Sequence, residues 1–341
     1  MGVQGGNRMG KERIEWIDAL RAWAIFAVVM GHLYTGSSVF NTVTEPVKMP
    51  MFYFLSGCVF STDRSWKDFL KGIGLRIYIP YLIFSLLPLK ALRLLFLRDI
   101  PGLLEYLGSF FSGRIFWFVP SFVLTQTFVF LLCRIFRGKA APIAAAGAVC
   151  FAVGVSTANV AWMDFWCVNS ALTAVPYMVF GLLMSRYGAA LRVSSPKSIA
   201  VNGLVYLFGT LYALRFYPGC HMDIHLDIFY NIPLCLVLTV SGILLCTGIA
   251  QNIPWSRAAR PWLILGQETF VVFLTHGTIQ FVLSKLLHPI LPLNGDLFWV
   301  SLFYTTLICV LGTALSRVVG RVFPELVGKR KRGKPLSTAS G

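Results

Sequence analysis

Apolar residues run along this chain in long, nearly unbroken stretches, with short polar segments between them. Crossing the hydrocarbon of a bilayer takes a helix of about 20 mostly apolar residues. Ten stretches approach that length, at roughly 17–37, 46–62, 76–97, 115–135, 141–160, 168–187, 198–216, 229–250, 262–284 and 298–323. The pattern predicts an all-α protein, a polytopic integral membrane bundle of about ten transmembrane helices. The second stretch is short for a span and reads as tilted or partly re-entrant. No internal repeat is visible and no loop is long enough to hold a soluble domain. The chain therefore reads as a single membrane domain over 1–341, with a polar N-terminal segment at 1–16 and a basic tail at 324–341. The first apolar stretch is long enough to span, so the start does not read as a cleavable signal.

Composition agrees. Hydrophobic residues make up 56% of the chain and charged residues 13%, about half the charged share of a soluble domain. The net charge of +16 would suggest nucleic acid in a soluble protein. Here the basic residues fall in the short segments between apolar runs, so the charge reports topology and no nucleic-acid partner is expected. With the N-terminus inside, 22 of the 30 Lys and Arg fall in inner segments and five, Lys48 among them, in outer ones. That asymmetry places both termini in the cytoplasm, with the tail GKRKRGKP attracted to anionic membrane lipid. The eight Cys sit mostly in apolar runs with no CxxC or zinc-ligand spacing, which fits buried, inert thiols.

Chemistry enters through ionisable residues inside the spans, which are costly there and are functional candidates by default. The first span, WIDALRAWAIFAVVMGHLYTG, carries Arg21 and His32. Eleven residues at 100° each return to within about 20° of the same face, about 16 Å along the axis. An Arg suits phosphate or carboxylate and a His suits general-base chemistry near neutral pH. The pair fits a long anionic donor whose reactive end reaches His32. The alternative is a snorkelling Arg and a His bonded to a neighbouring helix.

The order of motifs resembles the membrane-bound acyltransferase family 3. ERIEWIDALRAWAIFAVVMGH is similar to the family's opening, an Arg, ten residues and a His after Trp-Ile-Asp, and Arg21 and His32 fit it. KMPMFYFLSGCVF, RIYIPYLIFS, WFVPSFVLTQ and LGQETFVVFLTHGTI resemble four later stretches in the same order. They place Arg76 at the family's basic position and His276 at its late His. The arrangement is closest to the fucose 4-O-acetylase-like branch. The resemblance implies transfer of an acetyl group from cytoplasmic acetyl-CoA to a hydroxyl of a glycan or lipid-linked sugar. It also implies a bacterial inner-membrane location. Arg21 and Arg76 would hold the donor and His32 would act as base, with an acetyl-His32 intermediate as a variant. The chain departs from the family pattern at Gly74, where some relatives carry a second Arg, and at Gln267 and Glu268, where Lys-Asn is common.

Other residues carry paired readings. Asp18, one turn before Arg21, either orients it or is an interfacial charge. Trp117 either walls a site or belongs to an aromatic belt. His276 is a second catalytic His or, the favoured reading, a satisfied core residue. Ser56 is a candidate oxyanion donor, and Ser56-Gly57 a close helix approach. Glu268 reads as a buried, structural carboxyl. The segment YPGCHMDIHLDIFYN, with His221, Asp223, His225 and Asp227, reads as a polar, aromatic loop that meets a sugar, and no metal is expected. A transporter or flippase of an envelope glycan is the rival function. Its inverted repeats and paired broken helices are not visible here.

Overall fold

The computed structural model describes residues 14–86, 98–219 and 221–322. The N-terminal residues to 13, Lys90, Arg93, Cys220 and the basic tail lie outside them. The described chain is helical throughout, with a single β-bridge, Asp223 to Ile228. With few side-chain polar groups available, the backbone satisfies its own donors and acceptors within helices, the solution a bilayer demands of a spanning segment.

Helices α1 (Glu15–Leu33) and α2 (Ser38–Cys58) form the first hairpin. A second arm is α3 (Trp66–Ile73), a π-turn (Gly74–Tyr78) and α4 (Ile79–Leu86). Then follow α5 (Ile100–Phe111), α6 (Phe118–Ile135), α7 (Ala140–Ser156) and, after a 3₁₀ segment at Ala161–Cys167, α8 (Val168–Leu191). Next come α9 (Pro196–Phe216), α10 (Ile232–Asn252), α11 (Arg260–Gln267), α12 (Thr269–Leu286) and α13 (Phe298–Val322). Starts are written in the sequence: Ser195 and Asn231 accept from the backbone N–H three residues on, each with a Pro in the first turn.

Seven of the described segments are long and apolar enough to cross a membrane: α1, α6, α9, α10, α12, α13, and Trp162–Tyr187, which joins most of the 3₁₀ segment to α8. The other three predicted spans take different forms. The second begins eight residues earlier than expected, as α2, whose interior holds Glu45, Pro46, Lys48 and Pro50. The third is interrupted by the π-turn that carries Arg76, and its later part lies outside the described residues. The fifth is α7, 17 residues long. The predicted ninth span is divided at Gln267–Glu268 into α11 and α12. Helix α9 turns Leu204, Leu207, Phe208 and Leu211 outward, as expected of a helix that faces lipid.

Helix α1 is the hub. Twelve of its residues are buried, and α2, α10, α11, α12 and α13 all pack on it. Glycines set the tightest crossings. A Cβ on Gly57 would collide with the Met178 carbonyl oxygen and lie 2.8 Å from Leu182 N, and one on Gly181 would collide with the Phe54 carbonyl. Helices α2 and α8 therefore touch backbone to backbone, the close approach expected at Ser56-Gly57. Gly266 of α11 meets the Asp18 carbonyl of α1 in the same manner.

Backbone atoms cannot yield as a flexible side chain can. Gly57→Val should therefore cost more than the about 1–3 kcal/mol typical of overpacking. Gly72→Ala, where an added Cβ meets nothing within 4 Å, should be neutral or slightly stabilising. Thermal unfolding of the two variants in detergent checks this. Equal melting temperatures would contradict the crossing.

Candidate functional site

A cavity of about 800 Å³ lies inside the bundle, walled by α1, α2, α5, the segment between α5 and α6, α12 and the loop between α9 and α10. Its polar lining is His32, Glu45, Lys48, Tyr106, Trp117, Asp223, His225, His276 and Thr278.

His32 is one residue from the end of α1 and is exposed to this space. His276 reaches it from α12. The two rings stack with centroids 5.3 Å apart and planes inclined by 20°. His276 Nδ1 donates to the Phe273 carbonyl at 2.6 Å, because a carbonyl can only accept. That bond fixes the ring and leaves Nε2 as an acceptor when the imidazole is neutral. His276 is thus a cavity residue with one nitrogen held by backbone. Beside it a Cβ on Gly277 would meet nothing within 4 Å, so the helix leaves open room at the dyad.

The second wall comes from α2. Glu45 and Lys48 are one turn apart, each with a side chain 14% exposed, and their charged atoms are 3.9 Å apart. Glu45 Oε2 accepts from Met222 N at 3.1 Å, tying α2 to the loop. In the charge count Lys48 belongs to an outer segment. The structure places it mid-helix inside the bundle, because α2 starts at Ser38.

The loop from 217 to 231 folds inward rather than lying free. Met222 and Ile224 are buried. Asp223 and Ile228 exchange backbone hydrogen bonds at 2.9 and 2.8 Å, and Asp223 Oδ1 accepts from His225 N at 2.7 Å. His225 stacks on Trp117 with centroids 4.6 Å apart, and its carbonyl accepts from Ser170 Oγ. Trp117 lines the cavity. Asp227, in a left-handed turn at φ 53°, accepts from Thr173 Oγ1 at 2.7 Å. The alternating acidic and His residues thus turn to different partners. Among the described residues no group of three or more His, Cys, Asp or Glu is placed to hold a metal ion. Burial pushes the Asp227 carboxyl up to about 7, against the opposing pull of the Thr173 hydroxyl. Burial also lowers His225 from its ordinary value, partly offset by Asp223 and Asp164.

Arg21 and Arg76 do not line the cavity. Arg21 is half-buried toward the other end of α1, with its guanidinium 3.7 Å from Asp18 Oδ1. Gln267 Nε2 donates to Asp18 Oδ2 at 3.0 Å, and Trp262 Nε1 to the Ala19 carbonyl at 3.1 Å. Asp18 is therefore a buried link between Arg21 and α11. Gln267, one of the chain's departures from the family pattern, is the partner that holds it. Glu268 is buried and accepts from Ser316 Oγ at 2.6 Å. Arg76 is exposed on the π-turn. Ser56 does not line the cavity either. Sequence reasoning missed Lys48, Glu45 and Gly31 as residues of the cavity wall. For Lys48 and Glu45 the signal was two charges one turn apart within α2.

Compared with known families, residues 14–320 match the model described as an acyltransferase domain, of the acyltransferase family 3 type. No curated protein and no solved structure matches the chain.

A carboxyl raised by burial binds its proton more tightly in the folded state. Its contribution to stability is therefore complete below the ordinary carboxyl range and is lost as pH rises through about 7. The melting temperature should fall from pH 6 to pH 8, and Asp227→Asn, which keeps a neutral group beside Thr173, should flatten that slope. Parallel pH profiles for the two proteins would contradict it.

Proposed function

The chain belongs to the membrane-bound acyltransferase family 3, and from that premise we propose that it transfers an acetyl group from acetyl-CoA to a hydroxyl of an envelope glycan, extracellular glycan or lipid-linked sugar. The observation that carries this reading is the His32–His276 stack in a cavity large enough for a sugar and the end of an acyl donor. The family resemblance supports a bacterial cytoplasmic membrane as its location, and the asymmetry of basic residues supports both termini inside. Acetyl-CoA enters from the cytoplasm at the Arg21 end of α1, and the acceptor occupies the His32 end.

The chemistry follows from the residues. The acceptor hydroxyl gives its proton to His32 as its oxygen bonds to the thioester carbon. The carbonyl pair moves onto oxygen. When the tetrahedral intermediate collapses, the C=O bond re-forms, the C–S bond breaks, and the departing thiolate recovers the proton from His32. His276, oriented by its bond to Phe273, stacks on His32 and fixes its ring. Trp117 and His225 offer flat faces to a sugar ring. Arg21, oriented by Asp18 and Gln267, and Arg76 bind the donor's phosphates through charge-assisted contacts. The about 16 Å between Arg21 and His32 along α1 suits a donor whose charged and reacting ends lie far apart.

Loss of a general base costs about 100- to 10,000-fold in rate. His32→Ala should lower the acetyl content of the acceptor glycan by that order, while the protein still inserts and binds acetyl-CoA. His276→Ala should cost less. Mass spectrometry of glycan from cells making each variant at equal level checks this. Near wild-type acetylation with His32→Ala would remove His32 from the mechanism.

A further inference from the structure

Attack on a thioester places a full negative charge on the former carbonyl oxygen, and a cavity this apolar must meet it with a donor or a cation. The His stack supplies a base. Ser56 lies off the cavity. The remaining cation of the lining is Lys48.

Its placement is specific. Lys48 lies between Pro46 and Pro50, both buried inside α2. Its side chain runs across to α1, where a Cβ on Gly31 would sit 2.8 Å from Nζ. Gly31 directly precedes His32, so the amine approaches the α1 backbone beside the base only because no side chain intervenes. The structural alternative is that Lys48 serves only to neutralise Glu45. Against it, the two charged atoms are 3.9 Å apart, well beyond the about 2.7–2.9 Å of a charge-assisted hydrogen bond. Glu45 is instead engaged through Oε2 by Met222 N, and Asp223 through Oδ1 by the backbone of His225. Neither carboxylate hydrogen-bonds the amine, and among the described residues no hydrogen bond from Lys48 Nζ is formed.

We propose that Lys48 is the oxyanion-stabilising catalytic residue of this cavity, with Gly31 as the gap that admits its ammonium beside His32. This rests on the acyl-transfer reading above. As the acceptor oxygen bonds to the thioester carbon and His32 takes the proton, the C=O pair moves to oxygen and Lys48 N–H donates to that alkoxide. No proton leaves Lys48. When the C=O bond re-forms and the thiolate departs, the hydrogen bond relaxes. Glu45 is a positioning residue whose charge, 3.9 Å from the amine, offsets that of the largely buried ammonium.

The test uses the full chain in lipid nanodiscs, with acetyl-CoA as donor and the envelope glycan fraction of the source cells as acceptor. Release of CoA thiol and acetylation of glycan are both measured. Lys48→Met keeps length and packing but removes the charge. It should lower kcat about 100- to 1,000-fold with the KM for acetyl-CoA within about threefold of wild type. Lys48→Arg should recover part of the rate. Gly31→Ala keeps the charge but crowds the flexible end of Lys48. It should lower kcat while leaving the melting temperature unchanged or raised, since Ala favours helix over Gly. A Lys48→Met enzyme with wild-type kcat, or a loss confined to KM, would overturn the proposal alone. Failure of the wild-type protein to move acetyl from acetyl-CoA would overturn the acyl-transfer reading and this inference with it.

Discussion

Helix α1 is enclosed by five other helices, and a polar side chain on an enclosed helix must be met by another element or open into a cavity. Leaving it unmet costs several kcal/mol in an apolar interior. Three ionisable groups of α1 fall under that constraint: Asp18, Arg21 and His32. Much of the architecture is the response to them. At one end α11 delivers Gln267 to Asp18, which faces Arg21, and Gly266 lets α11 come close enough to do so. At the other end, among the described residues, no neighbour satisfies His32 with a hydrogen bond. The bundle opens there, and α12 supplies a second His to stack on it.

The break between α11 and α12 belongs to the same response. The break falls at the residues that make these contacts, Gln267 with Asp18 and Glu268 with Ser316 of α13. The interruption at residues 267 and 268 turns α11 onto the Arg21 end while α12 continues past the cavity to His276. Two ends of one helix with different chemistry are thus served by one interrupted segment. Loop 217–231 completes the enclosure. Its backbone is anchored by Glu45 and Ser170 and its Asp227 by Thr173, so a polar segment is tied into the cavity wall.

The all-helical class and the importance of α1 were legible because they rest on periodicity and on the cost of charge in lipid. The common face of Arg21 and His32 follows from the helix repeat alone, and the depth of His276 from counting turns. Lys48 and Glu45 were hidden by the same rule that found α1. Glu45 and the polar residues before it lower the hydropathy of the first part of α2, so its start reads eight residues late. Glu45 then falls into a loop, and Lys48 sits at the very edge of the predicted span and is counted as an outer charge. The inward fold of residues 217–231 was also illegible. Its polar groups are satisfied by residues more than 50 positions away in sequence, Ser170 and Thr173 among them, and no local pattern encodes that pairing. Gly31 gives no signal until Lys48 is placed against it.

The central claim is that acyl transfer takes place in the His32 cavity, with the donor's phosphates held toward Arg21. A structure of the protein with an unreactive thioether analogue of acetyl-CoA tests it most directly. The account predicts the carbon that replaces the thioester carbonyl beside His32 and Lys48, and the phosphates at the Arg21 end of α1. An analogue bound with its acyl end outside this cavity, or with its phosphates at the loop 217–231 end, would contradict it.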